Sequence, residues 1–192
     1  MTLGPNRLPM SRLSGMSQRR KETEDAVLPD VLKPGLEVVF CGSAAGRVSA
    51  EVGAYYAGPG NRFWPVLHAT GLTPHRVLPG DFRSAIDYGI GLTDMSKFQS
   101  GADSALAKGG DDTQVLAAKI KAYKPRVLAF NGKRAARVFF NEIIDAPLGH
   151  YGLKLQRLGS TALFVLPSTS GAARRWWDEA QWHALANYLY KE

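Results

Sequence analysis

Four short apolar runs, "LEVVFCG", "YGIGLTD", "RVLAFNG" and "LFVLPST", lie between Leu36 and Thr169, separated by stretches with helical spacing. Strands alternating with helices pack as layers around a mainly parallel sheet, so the pattern predicts an α/β fold. The helical stretches are "NRFWPVLHATG", "TQVLAAKIKAY", "KRAARVFFNEI" and a final segment from Arg174 to Tyr190. Phe63 and Trp64 fall on a core face in the first, and Val115, Leu116, Ile120 and Tyr123 share a stripe in the second. "YGLKLQRLG" reads as an antiparallel edge strand that turns at Gly159 and Ser160. Trp176, Trp177 and Trp182 are expected to pack the last helix onto the sheet, base stacking being their weaker reading.

A chain of 192 residues that is 45% hydrophobic can bury one sizeable core and is short for two. A single domain over residues 28–192 is expected behind a disordered basic tail, residues 1–27, in which five basic residues precede the first acid, Glu22. Met10 and Met16 offer alternative starts. No apolar run approaches the roughly 18 residues that a membrane-spanning helix needs. The lone Cys41 excludes an internal disulfide and a four-cysteine metal site, fits a buried small hydrophobe, and suits a reducing cytoplasm. A net charge of +7 favours a polyanionic partner, nucleic acid first, although many proteins are basic without such a partner.

Each apolar run ends in small or polar residues: "GSAAG", "TDMSK", "NGK" and "PSTSG". Open parallel sheets bind ligands outside the carboxyl ends of their strands, which gives the site an address. "GSAAG" matches neither the dinucleotide fingerprint nor the phosphate loop. It offers backbone groups, with Gly42, Ala44 and Gly46 leaving room for a flat polar ligand, or else it is a plain strand-to-helix turn. The tyrosines of "AYYAGPGNRFWPVL" precede a Pro and Gly turn and could form a stacking platform for a base. Asn131 would reach the pocket or act as a cap, and Lys133 and Arg134 could meet a phosphate. The histidines show no metal-ligand spacing, so neither metal nor cofactor is expected.

Five motifs, "VVFCGSAAG", "YYAGPGNRFW", "YGIGLTDM", "YKPRVLAFNGK" and "VLPSTSG", together resemble the mismatch-specific uracil and thymine DNA glycosylases of the uracil-DNA glycosylase superfamily, over about Gly35 to Tyr188. The resemblance implies a three-layer α/β/α sandwich on a short, mainly parallel sheet, an enzyme that flips a damaged base into a pocket, and a monomer acting on double-stranded DNA in a bacterial cytoplasm. It implies that the backbone around Ser43 and Gly46 reads the base edge, that Tyr56 stacks on the base, and that Ser49 and Asn61 line the pocket. The loop "PSTSGAARR" resembles the family's strand-clamping segment: Ser168 and Ser170 would hold phosphate beside Gly171, and the wedge position falls at Ala172. Relatives carry Leu or Arg there, so Arg174 or Arg175 is expected to fill the vacated stack instead.

One position departs from the family. Its usual first motif, G-I-N-P-G, carries an asparagine that positions the attacking water, and here that place is Ala44. The resemblance makes Asp94, at the tip of the second strand, the replacement, because a carboxylate can stabilise an oxocarbenium-like sugar and orient or deprotonate water. On its own, an aspartate after a strand reads as a helix N-cap. The leading expectation is a monofunctional glycosylase with Asp94 as its catalytic acid. The alternative is an inactive lesion or mismatch reader.

Overall fold

The computed structural model describes residues 26–107 and 109–190. All but Ala26 and Val27 of the tail expected over residues 1–27 lies outside these residues. A five-stranded sheet in the order β2-β1-β3-β5-β4 organises the molecule. Its strands are β1 (Val38–Ala45), β2 (Ile90–Ser100), β3 (Val127–Asn131), β4 (Gly152–Leu158) and β5 (Thr161–Leu166). β1 lies parallel between β2 and β3, β5 runs parallel to β3, and β4 closes the edge antiparallel to β5. Each of the four apolar runs forms a strand, and "YGLKLQRLG" is the antiparallel edge.

Alternation along the strands builds two cores. Val38, Phe40, Leu92, Ala129 and Phe164 face one side, where α2 (Phe63–Ala69), a 3₁₀ stretch at Pro79–Tyr88 and α5 (Ala180–Tyr190) supply Phe63, Leu67, Phe82, Trp182 and Leu185. Val39, Cys41, Leu128, Phe130 and Val165 face the other, against Leu116 and Ile120 of α3 (Thr113–Tyr123) and Phe139 of α4 (Lys133–Phe139). The result is a three-layer α/β/α sandwich. Val38 to Cys41 are fully buried, which is why the first run has no polar alternation.

Four details differ from the sequence reading. "GSAAG" is mostly strand, because the β1–β2 ladder continues through Gly42–Asp94 and Ala44–Ser96, and only Gly46 turns the chain into α1 (Arg47–Val52). Asp94 therefore sits within β2 rather than at its tip, and Asp112 caps a helix instead, accepting the Val115 N–H at 3.0 Å. Val115 is exposed, since Thr113, Leu116, Ala117 and Ile120 form the buried stripe of α3 and Val115 points about 100° away from Leu116. The last helix begins at Ala180, after a 3₁₀ turn at Gly171–Trp176, so Trp176 packs nothing onto the sheet and is 62% exposed.

Candidate active site

A cavity of about 770 Å³ opens at the carboxyl ends of β1, β2 and β3. The ladder between β1 and β3 stops at Cys41–Phe130, whereas β1 remains paired to β2 beyond it. The β3-facing edge of Gly42–Ala45 thus has no strand partner, and its backbone is what the cavity meets. Gly42, Ser43, Ala44, Gly46, Ser49, Tyr56, Asn61, Asp94, Asn131, Ser168, Ser170, Gly171, Ala172 and Arg174 all line this one space. Lys133 and Arg175 do not: the Lys133 ammonium lies 4.4 Å from the Tyr151 ring centre, and the Arg175 guanidinium 5.1 Å from that of Trp176. Arg134 is committed to a bidentate pair with Asp111, both contacts at 2.9 Å.

Gly42 and Asp94 are register partners and face the same layer as Phe40. A Cβ on Gly42 would lie 2.5 Å from Asp94 Oδ1 and 3.5 Å from the Tyr56 hydroxyl. The missing side chain therefore makes room for the Asp94 carboxylate, whereas a Cβ on Gly46 would touch nothing within 4 Å. Asp94 is 5% exposed, and no described residue hydrogen-bonds its carboxylate. Burial raises its pKa, Lys97 offsets part of that and the Asp30 charge adds to it, leaving the group at about 7.

Tyr56 stands beside it. Its backbone occupies the left-handed region, φ 57°, which costs a side-chain-bearing residue about 1–2 kcal/mol. In that conformation its ring stacks on Phe63, centroids 3.8 Å apart and planes 25° from parallel, with Phe63 buried behind it. The Tyr56 hydroxyl is buried without a partner in hydrogen-bond geometry; burial first and then the Asp94 charge push its pKa well up, and the nearby Asn131 side chain offsets only part of that. An orphaned hydroxyl thus meets a carboxylate free of protein hydrogen bonds on one patch of cavity floor, and leaving a buried polar group unpaired is a cost that proteins retain where chemistry or binding uses it.

Several expected pocket residues also hold the walls in place. Ser49 Oγ accepts the Ala57 N–H at 3.0 Å, and Asn61 Oδ1 accepts the Phe63 N–H at 3.0 Å. Asn131 is no helix cap: its amide donates to Thr169 Oγ1 at 2.8 Å and its oxygen accepts the Thr169 N–H at 3.0 Å. That clamp fixes the segment from Ser168 to Trp176, which Arg62 N–H to Thr169 O (3.0 Å) and Trp182 Nε1–H to Pro167 O (3.3 Å) also secure.

Sequence reasoning missed Thr169, the wall at Gly101–Ser104, and Asp30. Asp30 accepts from Thr93 Oγ1 at 2.8 Å and pairs with Lys97 and Lys119 at 2.8 and 2.7 Å. Burial would raise its pKa, and the two ammonium groups reverse that to leave it lowered. No local signal reveals this cluster, because Asp30 lies 63 residues from Thr93 and 89 from Lys119.

A three-layer fold with an aromatic-floored cavity at the ends of its parallel strands places the chain among the α/β proteins whose pockets open at that edge of the sheet. The chain belongs to the uracil DNA glycosylase superfamily, whose family model matches residues 29–188. It is also similar in fold to the solution structure of a "putative Uracil DNA glycosylase" from Methanosarcina acetivorans, at a TM-score of 0.61 and 24% identity over 85% of this chain and 97% of that one. Family membership supports a DNA glycosylase role, with DNA as the partner. Among the described residues, no helix is long and apolar enough to cross a membrane.

Proposed function

We propose that this chain is a monofunctional, mismatch-directed DNA glycosylase that flips uracil, or another damaged pyrimidine or thymine, out of duplex DNA and hydrolyses its N-glycosidic bond in base excision repair. The observation that carries the reading is the Asp94 carboxylate, buried on the cavity floor with no hydrogen-bond partner among the described residues. A flipped base would stack on the face of Tyr56 opposite Phe63, with the free edge of Gly42–Ala45 meeting its polar edge. As the glycosidic bond breaks, the base leaves with the bonding electrons, and backbone N–H groups stabilise its negative charge as an oxyanion hole does. Asp94 stabilises the sugar cation, then takes a proton from the water whose oxygen bonds to the sugar carbon. No metal or cofactor enters this scheme.

In the same reading the clamped segment Ser168–Arg174 and Lys133 and Arg175 outside the cavity hold the phosphate backbone, the folded domain acts as a monomer in the cytoplasm, and the basic tail of residues 1–27 lies outside the domain. Base release from duplexes carrying uracil, thymine, xanthine or ethenocytosine, with wild-type protein and Asp94→Ala, tests it. Release by the wild type and none by the variant is expected. A second reading, a lesion binder without chemistry, rests on Ala44, whose methyl group cannot hold a water where the family's asparagine would. Uracil duplexes left without alkali-labile sites by wild-type protein would favour it.

A further inference from the structure

Eight large apolar side chains are exposed on the described surface, and of these only Trp176 lines the cavity. It is 62% exposed, while the next residue, Trp177, turns inward, where its ring stacks with Trp182 at 6.2 Å and carries the Arg62 guanidinium at 5.0 Å. The two adjacent indoles therefore do different work: one packs the layer beneath, and the other faces solvent at the rim. The turn that presents Trp176 is held from several sides. Ser170 Oγ accepts the Ala172 N–H at 3.3 Å, the Trp177 N–H reaches Arg174 O at 3.2 Å, and Asn131 grips Thr169 just upstream.

The surroundings say what such an indole would meet. Arg175 lies over its ring at 5.1 Å, and Arg174 lines the same rim, its guanidinium 3.1 Å from where a Cβ on Gly60 would be. An exposed aromatic flanked by cations suits a nucleobase attached to phosphates, since any base offers a face for stacking and the guanidinium groups match the backbone. The other side chains of the turn that line the cavity are small or polar: Ala172 and Ala173 each project only a methyl group. A methyl group cannot replace a base in a stack, whereas an indole can.

We propose that Trp176 is the residue that enters the duplex, stacking on the bases beside the position that a flipped nucleotide vacates. This rests on the base-flipping reading and moves the inserted group from Ala172, Arg174 or Arg175 to the indole. Arg175 would then remain on the outer face of that ring, toward the strand backbone. Insertion of an apolar wedge offsets part of the unstacking cost that flipping incurs.

The test measures base release from a uracil duplex by Trp176→Ala and Trp176→Phe. Separately, 2-aminopurine placed next to a tetrahydrofuran abasic site reports stacking without any chemistry. The alanine variant should release base more slowly by on the order of ten- to a hundredfold, the size of one lost base–aromatic stack, and phenylalanine should recover most of that. Wild-type protein should quench the 2-aminopurine, and the alanine variant should not. Equal release by both variants and wild type, or quenching that survives Trp176→Ala, would overturn the assignment. If wild-type protein releases no base from any duplex, the glycosylase reading fails, and the quenching result still decides what Trp176 does.

Discussion

Asp30, packed against β2, and Asp94, within it, are both withdrawn from solvent, yet their surroundings are opposite. Asp30 takes one hydrogen bond from Thr93 and two ammonium contacts, from Lys97 and Lys119, all within 2.8 Å. Asp94 takes no hydrogen bond from any described residue and faces a cavity. Burial acts on both in the same direction, but only at Asp30 do neighbouring cations overcome it. A carboxylate with both oxygens engaged, as in Asp30, holds structure together, whereas one whose oxygens are free of protein partners can serve water or a sugar cation. Lys97 links the two, since it neutralises Asp30 directly and tempers Asp94 at longer range.

Removing each carboxylate in turn should separate the two roles. Asp94→Ala should lower base release by on the order of 10²–10⁴-fold, the usual contribution of a positioned acid or base, with duplex binding retained. Single-turnover release and gel-shift binding check this together, and equal loss of both would mean that Asp94 shapes the site rather than acting in it. Asp30→Ala should instead destabilise the fold by about 3–5 kcal/mol, because it strands two partly buried ammonium groups. Denaturant unfolding measures that loss, and an unchanged midpoint would show that the cluster adds nothing to stability.

Gly42→Ala probes the space between the two groups. Its added methyl group would sit 2.5 Å from Asp94 Oδ1, so the carboxylate must shift. A displacement of about 1 Å at a reacting centre can cost on the order of a hundredfold in rate, and base release should fall by that order. Folding should be little affected, because the carboxylate can move into the cavity. A melting temperature that drops as far as that of Asp30→Ala would contradict this view of Gly42.

The strands and layers were legible because burial on both faces writes an unbroken apolar run, as in Val38 to Cys41, and because their order alternates with helical spacing. The cavity's address followed from the same logic. Asp94 was legible as a residue but misplaced as a strand tip, since sequence does not reveal how far a parallel ladder runs beyond its apolar core. Trp176 was read with the core because its neighbours Trp177 and Trp182 belong there, and only the 3₁₀ turn decides which indole faces outward. The Asp30 cluster was invisible, because its partners come from β2 and α3, far along the chain.

The pH dependence of the two aspartates separates them most finely. An unfolded aspartate titrates near 3.8, and folded Asp94 near 7. Between those values the folded protein holds a proton that the unfolded chain has released, so this group makes stability fall as pH rises, by up to 1.36 kcal/mol per unit, and contributes no slope above about 7. Asp30 has the opposite sign: its lowered pKa adds stability that is complete above the ordinary carboxylate range and is lost only in acid below it. Base release should run against the Asp94 stability trend, climbing about tenfold per pH unit toward neutrality as the carboxylate ionises and levelling off near 7. Asp94→Asn should therefore flatten the stability profile between pH 4 and 7. It should also raise stability at neutral pH by up to about 4 kcal/mol, three units at 1.36 kcal/mol each, while removing activity. An Asp94→Asn protein with the wild-type stability slope would assign that slope to another group and leave Asp94 titrating like any exposed acid.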